Sequence, residues 1–189
     1  MKHRQVHRRQ FSRIDAKRLV FVDESGCNIS MAREYAWAPV GQRAHGHVPK
    51  NWGGNVSMIG ALGFDGLRTL GTLDGAVDGE AFGVFVERFL APTLNRGDIV
   101  LWDNLSVHNV VAAKAAIDAA GAQLVWLPAY SPDLNHIEQC WSKLKSILRS
   151  AAARTREDLD AAISLAMGAI TASDAAGWFK CSGYEAQSA

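Results

Sequence analysis

Cysteine is scarce: Cys27, Cys140 and Cys181 are the only three, an odd number without paired metal-ligand spacing, which argues against a disulfide framework or a zinc cluster. No apolar run approaches the roughly 20 residues of a membrane span. The opening Met1-Lys2-His3-Arg4 leads into further polar residues, not into the apolar stretch of a signal peptide. Internal repeats and low-complexity tracts are also lacking. These absences predict a cytoplasmic protein with no membrane partner. What remains is 189 residues at 48% hydrophobic composition, enough for one compact domain with a real core and too apolar for a disordered chain.

The formal net charge of +1 conceals an uneven distribution. Residues 1–17 form a basic arm or linker remnant. Lys2, Arg4, Arg8, Arg9, Arg13 and Lys17, with Arg18 beside them, face Asp15 alone, so the rest of the chain is net acidic. A basic arm ahead of an acidic body suits a phosphate backbone; a solvated leader or the end of a linker helix is the plainer alternative.

Residues 18–150 read as an α/β core with a mixed sheet. Four consecutive apolar residues predict a buried strand over Arg18 to Asp23. Further strands are predicted over Glu34 to Val40, Asn55 to Gly63 and Leu67 to Leu73, with Asp65-Gly66 as a hairpin signal, giving an antiparallel meander. Asp78 has the character of an N-cap, and Phe82, Phe85, Val86, Phe89 and Leu90 follow at helical spacing, with Pro92 near the end. A strand from Asp98 to Trp102, an alanine-rich helix from Val110 to Ala120 stopped by Gly121, and a strand from Gln123 to Leu127 form a βαβ unit with parallel strands. In the next helix Ile137, Trp141, Leu144 and Leu148 share one face, while Glu138, Ser142, Lys145 and Arg149 share the adjoining stripe. Residues 151–189 read as a C-terminal helical extension packed on the core. Thr155 starts its first helix, with Leu159, Ile163, Met167 and Ile170 as the buried stripe.

Two apolar runs end in aspartate, at Asp23 and Asp103, and Glu138 lies at the start of the long helix. Ligands of open α/β sheets sit beyond the carboxyl ends of the strands. Acidic side chains gathered there repel one another unless hard divalent cations lie between them. Taken singly, each acid has a structural reading: Asp23 and Asp103 as turn formers, Glu138 as the closing member of a capping box with Asn135. Jointly they match phosphodiester chemistry, in which metals activate one oxygen and stabilise another. The Gly53-Gly54 pair lacks the lysine and helix of a phosphate-binding loop and reads as a turn.

Phe21-Val22-Asp23-Glu24-Ser25-Gly26, Tyr35-Ala36-Trp37-Ala38-Pro39-Val40-Gly41-Gln42, Trp102-Asp103-Asn104-Leu105-Ser106-Val107-His108 and Leu127 to Lys145, with its Ser131-Pro132-Asp133-Leu134-Asn135-His136-Ile137-Glu138 core, occur in that order. Together they resemble the catalytic domain of DDE transposases, and most closely the bacterial insertion-sequence branch of the Tc/mariner superfamily. Asp103 and Glu138 have 34 residues between them, the spacing of that family. The resemblance implies an RNase H-like fold, Mg²⁺ or Mn²⁺ as cofactor with two ions expected, and DNA transposition into TA-containing targets. Asp23, Asp103 and Glu138 would be both catalytic and metal-binding, with Asp103 bridging the ions. Double-stranded DNA, as transposon ends and as target, would be the partner of a homodimer in a nucleoid-associated complex.

The neighbouring residues carry weaker expectations. Asn104 and His108 are candidates for orienting Asp103 or touching a phosphate, with a local turn and a helix start as alternatives. Lys145 and Arg149 are candidate DNA contacts, the alternative being a solvated helix face. Glu24 is expected to support the site or serve structure, and Trp37 and Trp141 to anchor the core. His136 stands where the family motif usually has proline, so the helix lacks that rigid start before Glu138. Family members carry helix-turn-helix modules ahead of this domain. With 18 residues before the first strand, the expectation is that an upstream product of a split frame reads the transposon ends, or that the chain is a remnant. Competing readings are a non-catalytic DNA-binding or dimerising regulator and an RNase H-like nuclease.

Overall fold

The computed structural model describes residues 11, 14–103, 111–128, 134–181 and 184. A five-stranded sheet organises them: β1 (Leu19–Cys27), β2 (Val56–Gly63), β3 (Gly66–Asp74), β4 (Ile99–Trp102) and β5 (Gln123–Trp126) lie in the order β3-β2-β1-β4-β5. β1 to β3 form the antiparallel meander, while β4 runs parallel to both β1 and β5. The resulting sheet is mixed, as the RNase H-like expectation requires. The β2–β3 hairpin turns through Phe64 and Asp65 into Gly66, whose positive φ of 124° a side chain would resist.

Strand alternation sorts the core into two faces. Leu19 and Phe21 of β1, with Ile99 and Leu101 of β4, join one buried cluster; Val20, Val22, Val100 and Trp102 join the other. The first face is covered by α3 (Ile137–Ala151), α4 (Arg156–Gly168) and α5 (Ala172–Cys181). The second is covered by α1 (Gly79–Phe85) and α2 (Val111–Ala119). All four β4 residues are buried, which is why that strand reads as an unbroken apolar run. Among the described residues no helix is long and apolar enough to cross a membrane.

Local chemistry accounts for most of the helix limits. The Asp78 carboxylate accepts from the Ala81 amide at 2.8 Å and starts α1. A wider π turn over Val86–Leu90 and a 3₁₀ turn over Ala91–Thr93 containing Pro92 follow it. The change of period corrects one sequence expectation: Phe89 turns outward and is 48% exposed, while Leu90 remains buried. Thr155 starts α4 by accepting from the Asp158 amide at 3.1 Å. Leu159 and Ile163 are buried as the helical spacing predicts. Met167 packs half-buried against the same cluster, and Ile170 lies beyond the helix end.

The expected strand over Glu34 to Val40 does not form. Residues 28–55 leave the sheet between β1 and β2, and Tyr35, Trp37 and Val40 are exposed. The segment cannot pair with the strand it follows: β1 is already paired by β2 and β4, and Pro39 has no amide hydrogen to donate. Trp37, expected in the core, is fully exposed, whereas Trp141 is buried as expected. β1 also runs four residues beyond Asp23, because its ladder with β2 continues through polar Glu24 and Ser25 as far as Cys27.

Candidate active site

The parallel register of β1 and β4 pairs Leu19 with Ile99, Val20 with Val100 and Phe21 with Leu101. Continued by two residues, it sets Asp23 beside Asp103. Both alternate with Phe21 and Leu101 onto the face that α3 covers. Asp23 is half-buried inside β1 and is no strand-ending turn former. Asp103 directly follows the last residue of β4.

Glu138 arrives from above on the first turn of α3. Its helix sits close because Gly60 of β2, the ladder partner of Asp23, has no side chain. A Cβ at Gly60 would lie 2.7 Å from Cη2 of Trp141 and 3.5 Å from Cδ1 of Ile137. The indole thus rests on bare backbone beside Asp23, which brings Glu138 down to the sheet. The turn into α3 is fixed by His136, fully buried with its ring centroid 4.5 Å from that of Phe21, 4.7 Å from Tyr184 and 5.5 Å from Phe179. Aromatic packing replaces the rigidity a proline would give. The helix start at His136 makes no side-chain capping hydrogen bond, so the capping-box alternative for Glu138 is not realised.

Electrostatics registers the gathering. Burial foremost pushes the Asp23 carboxyl from 3.8 to about 7; the Glu138, Asp103 and Glu24 carboxylates push the same way against a backbone hydrogen bond at Glu24. Among the described residues no lysine or arginine is a cause of that shift. Among the described residues no three His, Cys, Asp or Glu side chains converge on a single metal-sized position. The acids lie near enough to repel without already enclosing an ion. This donor set of hard carboxylate oxygens fits Mg²⁺ or Mn²⁺.

The auxiliary candidates divide. Asn104 and His108 lie outside the described residues. Lys145 is half-buried near the end of β1, where with Arg156 it opposes the effect of burial, which pushes the Cys27 thiol up to about 11. Arg149 Nε lies 3.0 Å from Oε1 of Glu34 in an ion pair. All three cysteines are free thiols, and burial pushes Cys140 up to about 12. The sequence reading missed Gly60, although an isolated glycine within an apolar strand signals a close approach. It also passed over Arg33, His45, His47 and Arg154, which the excursion from the sheet brings to one cleft with Arg149.

A family model described as DDE superfamily endonuclease matches residues 18–160. Among solved structures, the chain is similar to the catalytic domain of Mos1 mariner transposase, at 14% identity and a TM-score of 0.63 over 97% of this chain and 91% of that one. It is similar to the mariner Mos1 paired end complex with Mg at 18% identity and a TM-score of 0.68, covering 97% of this chain and 61% of that one. For the Mos1 strand transfer complex the values are 18% and 0.66, over 95% and 54%. The chain therefore spans little more than half of the transposase chains in those complexes, and at these identities the likeness establishes the fold. No curated protein matches the chain. The family match covers most of the sequence and all three acids of the site, and by it this chain belongs to the DDE superfamily endonucleases.

Proposed function

We propose that this chain is the catalytic domain of a DNA transposase, hydrolysing phosphodiesters at transposon ends and transferring the freed 3′-hydroxyl into TA-containing target DNA. The observation that carries the reading is the juxtaposition of Asp23 and Asp103, in register on adjacent parallel strands, with Glu138 on the helix seated over the same face. The similar Mos1 structures include complexes with Mg, with Mn and with paired transposon ends, and these support divalent metal and DNA as ligands here.

Asp23, Asp103 and Glu138 would hold the metal, with two ions expected. When bound, such ions activate the attacking oxygen and stabilise the leaving one. The residues of this chain supply the rest. Asp23, with its carboxyl at about 7, holds a proton in weakly acidic solution and presents an ionised ligand above neutrality. Gly60, Trp141 and His136 set the height of Glu138 over the sheet. Lys145, two turns along the same stripe, would meet a DNA phosphate. Joining two transposon ends calls for two copies of the chain, and sequence-specific recognition of those ends for an upstream helix-turn-helix product. Such a complex would work on the nucleoid, in the cytoplasm.

The test is nicking and strand joining on a short duplex with Mg²⁺ or Mn²⁺, wild type beside Asp103→Asn. Metal-dependent products from the wild type alone are expected. Equal activity in both proteins, or preferential cleavage of an RNA–DNA hybrid, would overturn the reading.

A further inference from the structure

A group of arginines and histidines that the catalytic proposal leaves unused lies at the far end of α3. A cleft of about 740 Å³ opens there between the 28–55 excursion and the α3–α4 turn. Arg33, His45, His47, Arg149 and Arg154 line it, and Glu34 is its single acid. Nη1 of Arg154 donates to the carbonyls of Ile29 at 3.0 Å and Met31 at 3.1 Å, tying the excursion to the helix turn. Arg33, His45 and His47 are exposed, and among the described residues none is in an ion pair. Arg149 is paired with Glu34, with side chains 33% and 59% exposed.

Helix geometry connects this cleft to the acids. Glu138 and Arg149 are eleven positions apart on α3, about 16 Å along the axis and only about 20° apart around it. Lys145 falls between them on the same stripe. A DNA backbone lying along the stripe therefore passes Lys145 and reaches the cleft within a few phosphates of the acids.

We propose that this cleft is a phosphate-binding site for the DNA flanking the scissile bond, with the Glu34 carboxylate holding Arg149 in the place a phosphate takes. The site rests on the endonuclease reading above and adds the length of duplex it grips. Arrival of a phosphate exchanges one anion for another on the same guanidinium, so Glu34 weakens non-specific binding and is released when DNA is seated.

The experiment is fluorescence anisotropy of a labelled 20-base-pair duplex titrated with the full chain in EDTA over a salt series. Glu34→Gln is expected to tighten binding roughly two- to fivefold with the salt dependence unchanged, because Arg149 meets the same phosphate in both proteins. Arg149→Gln should weaken binding and flatten the dependence by about one, and the double variant should match Arg149→Gln alone. Circular dichroism of each variant reports folding separately. Wild-type binding by Glu34→Gln at every salt concentration would overturn the proposal, as would a double variant that binds as tightly as Glu34→Gln. Equally tight, equally Glu34-sensitive binding of polyglutamate would overturn the assignment to a nucleic-acid backbone. Metal-dependent nicking by the wild type is scored independently: nicking with unaltered variant binding removes the cleft alone, and the expected binding pattern without nicking removes the endonuclease reading alone.

Discussion

Removing the charge at Asp23 should stabilise the metal-free protein at alkaline pH. The Asp23 carboxyl rises from 3.8 to about 7 on folding, so between those values the folded chain holds a proton that the unfolded chain has released. Linkage then makes stability fall with pH: the contribution of the protonated group is fully present below about 4 and lost as pH rises through about 7. The full loss corresponds to at most about 4 kcal/mol at about 1.4 kcal/mol per pH unit. Asp23→Asn is neutral throughout and escapes it. In EDTA the variant should match the wild type near pH 4 and exceed it at pH 8 by up to that amount, a rise in Tm on the order of 10 °C for a chain of this size. Thermal and urea unfolding at half-unit steps of pH would follow the divergence. Mg²⁺ should narrow the gap at pH 8 by stabilising the wild type more than the variant, by about 2.7 kcal/mol at a hundredfold excess over Kd. A variant no more stable than the wild type at pH 8, or a difference independent of pH, would refute the reasoning that burial and neighbouring carboxylates load this group.

Gly60→Ala should cost about 1–3 kcal/mol as the Trp141 ring shifts from the added methyl, and should raise the metal concentration for half-maximal nicking as Glu138 lifts away. Unfolding curves and a Mg²⁺ titration of nicking check the two effects; unchanged metal dependence would remove Gly60 from the positioning of Glu138. Asp98→Ala should destabilise by about 3–5 kcal/mol in urea unfolding. Asp98 lies 2.5 Å from Nη1 of Arg68, with side chains only 6% and 9% exposed, so the variant leaves a buried guanidinium with only the longer 3.5 Å pair to exposed Asp65. Ala152→Gly should raise stability by about 1 kcal/mol in the same assay, because Ala152 ends α3 at a φ of 50°, a conformation glycine adopts without strain.

The sheet was legible where burial alone decides it. Val20, Val22, Val100 and Trp102 fill one face of the sheet and Phe21 and Leu101 the other, and a strand covered on both sides reads as a continuous apolar run. Legibility failed where pairing decides. The alternation Tyr35-Ala36-Trp37-Ala38 has the period of a strand, yet both sides of the preceding strand β1 are taken and the segment stays outside the sheet. Polarity likewise concealed the second half of β1, where Glu24 and Ser25 pair with Ile59 and Met58. At the site, Asp23, Asp103 and Glu138 could be read from their motifs, whereas the means of holding Glu138 could not. Gly60 has meaning only through a tryptophan 81 positions later, and His136 through Phe21 of β1 and Phe179 and Tyr184 of the C-terminal region. Such long-range contacts leave no local period in the sequence.

Helix α3 combines two demands that usually compete. A catalytic carboxylate needs a fixed position, which favours burial, whereas a DNA contact needs exposure. Trp141 lies 60° around the axis from Glu138, as 3.6 residues per turn require. The buried stripe of Ile137, Trp141, Leu144 and Leu148 therefore locks the helix against the sheet, while Glu138, Lys145 and Arg149 emerge along its margin. Margin residues inherit the rigidity of the stripe beside them without losing contact with solvent, and Lys145 and Arg149 are accordingly half-buried. Since both stripes belong to one rigid element, anything that rotates α3 moves the proposed metal ligand Glu138 and the proposed phosphate contacts together. Substitutions at Trp141 should therefore alter metal dependence and DNA affinity in parallel, whereas substitutions at Arg149 should alter DNA affinity alone.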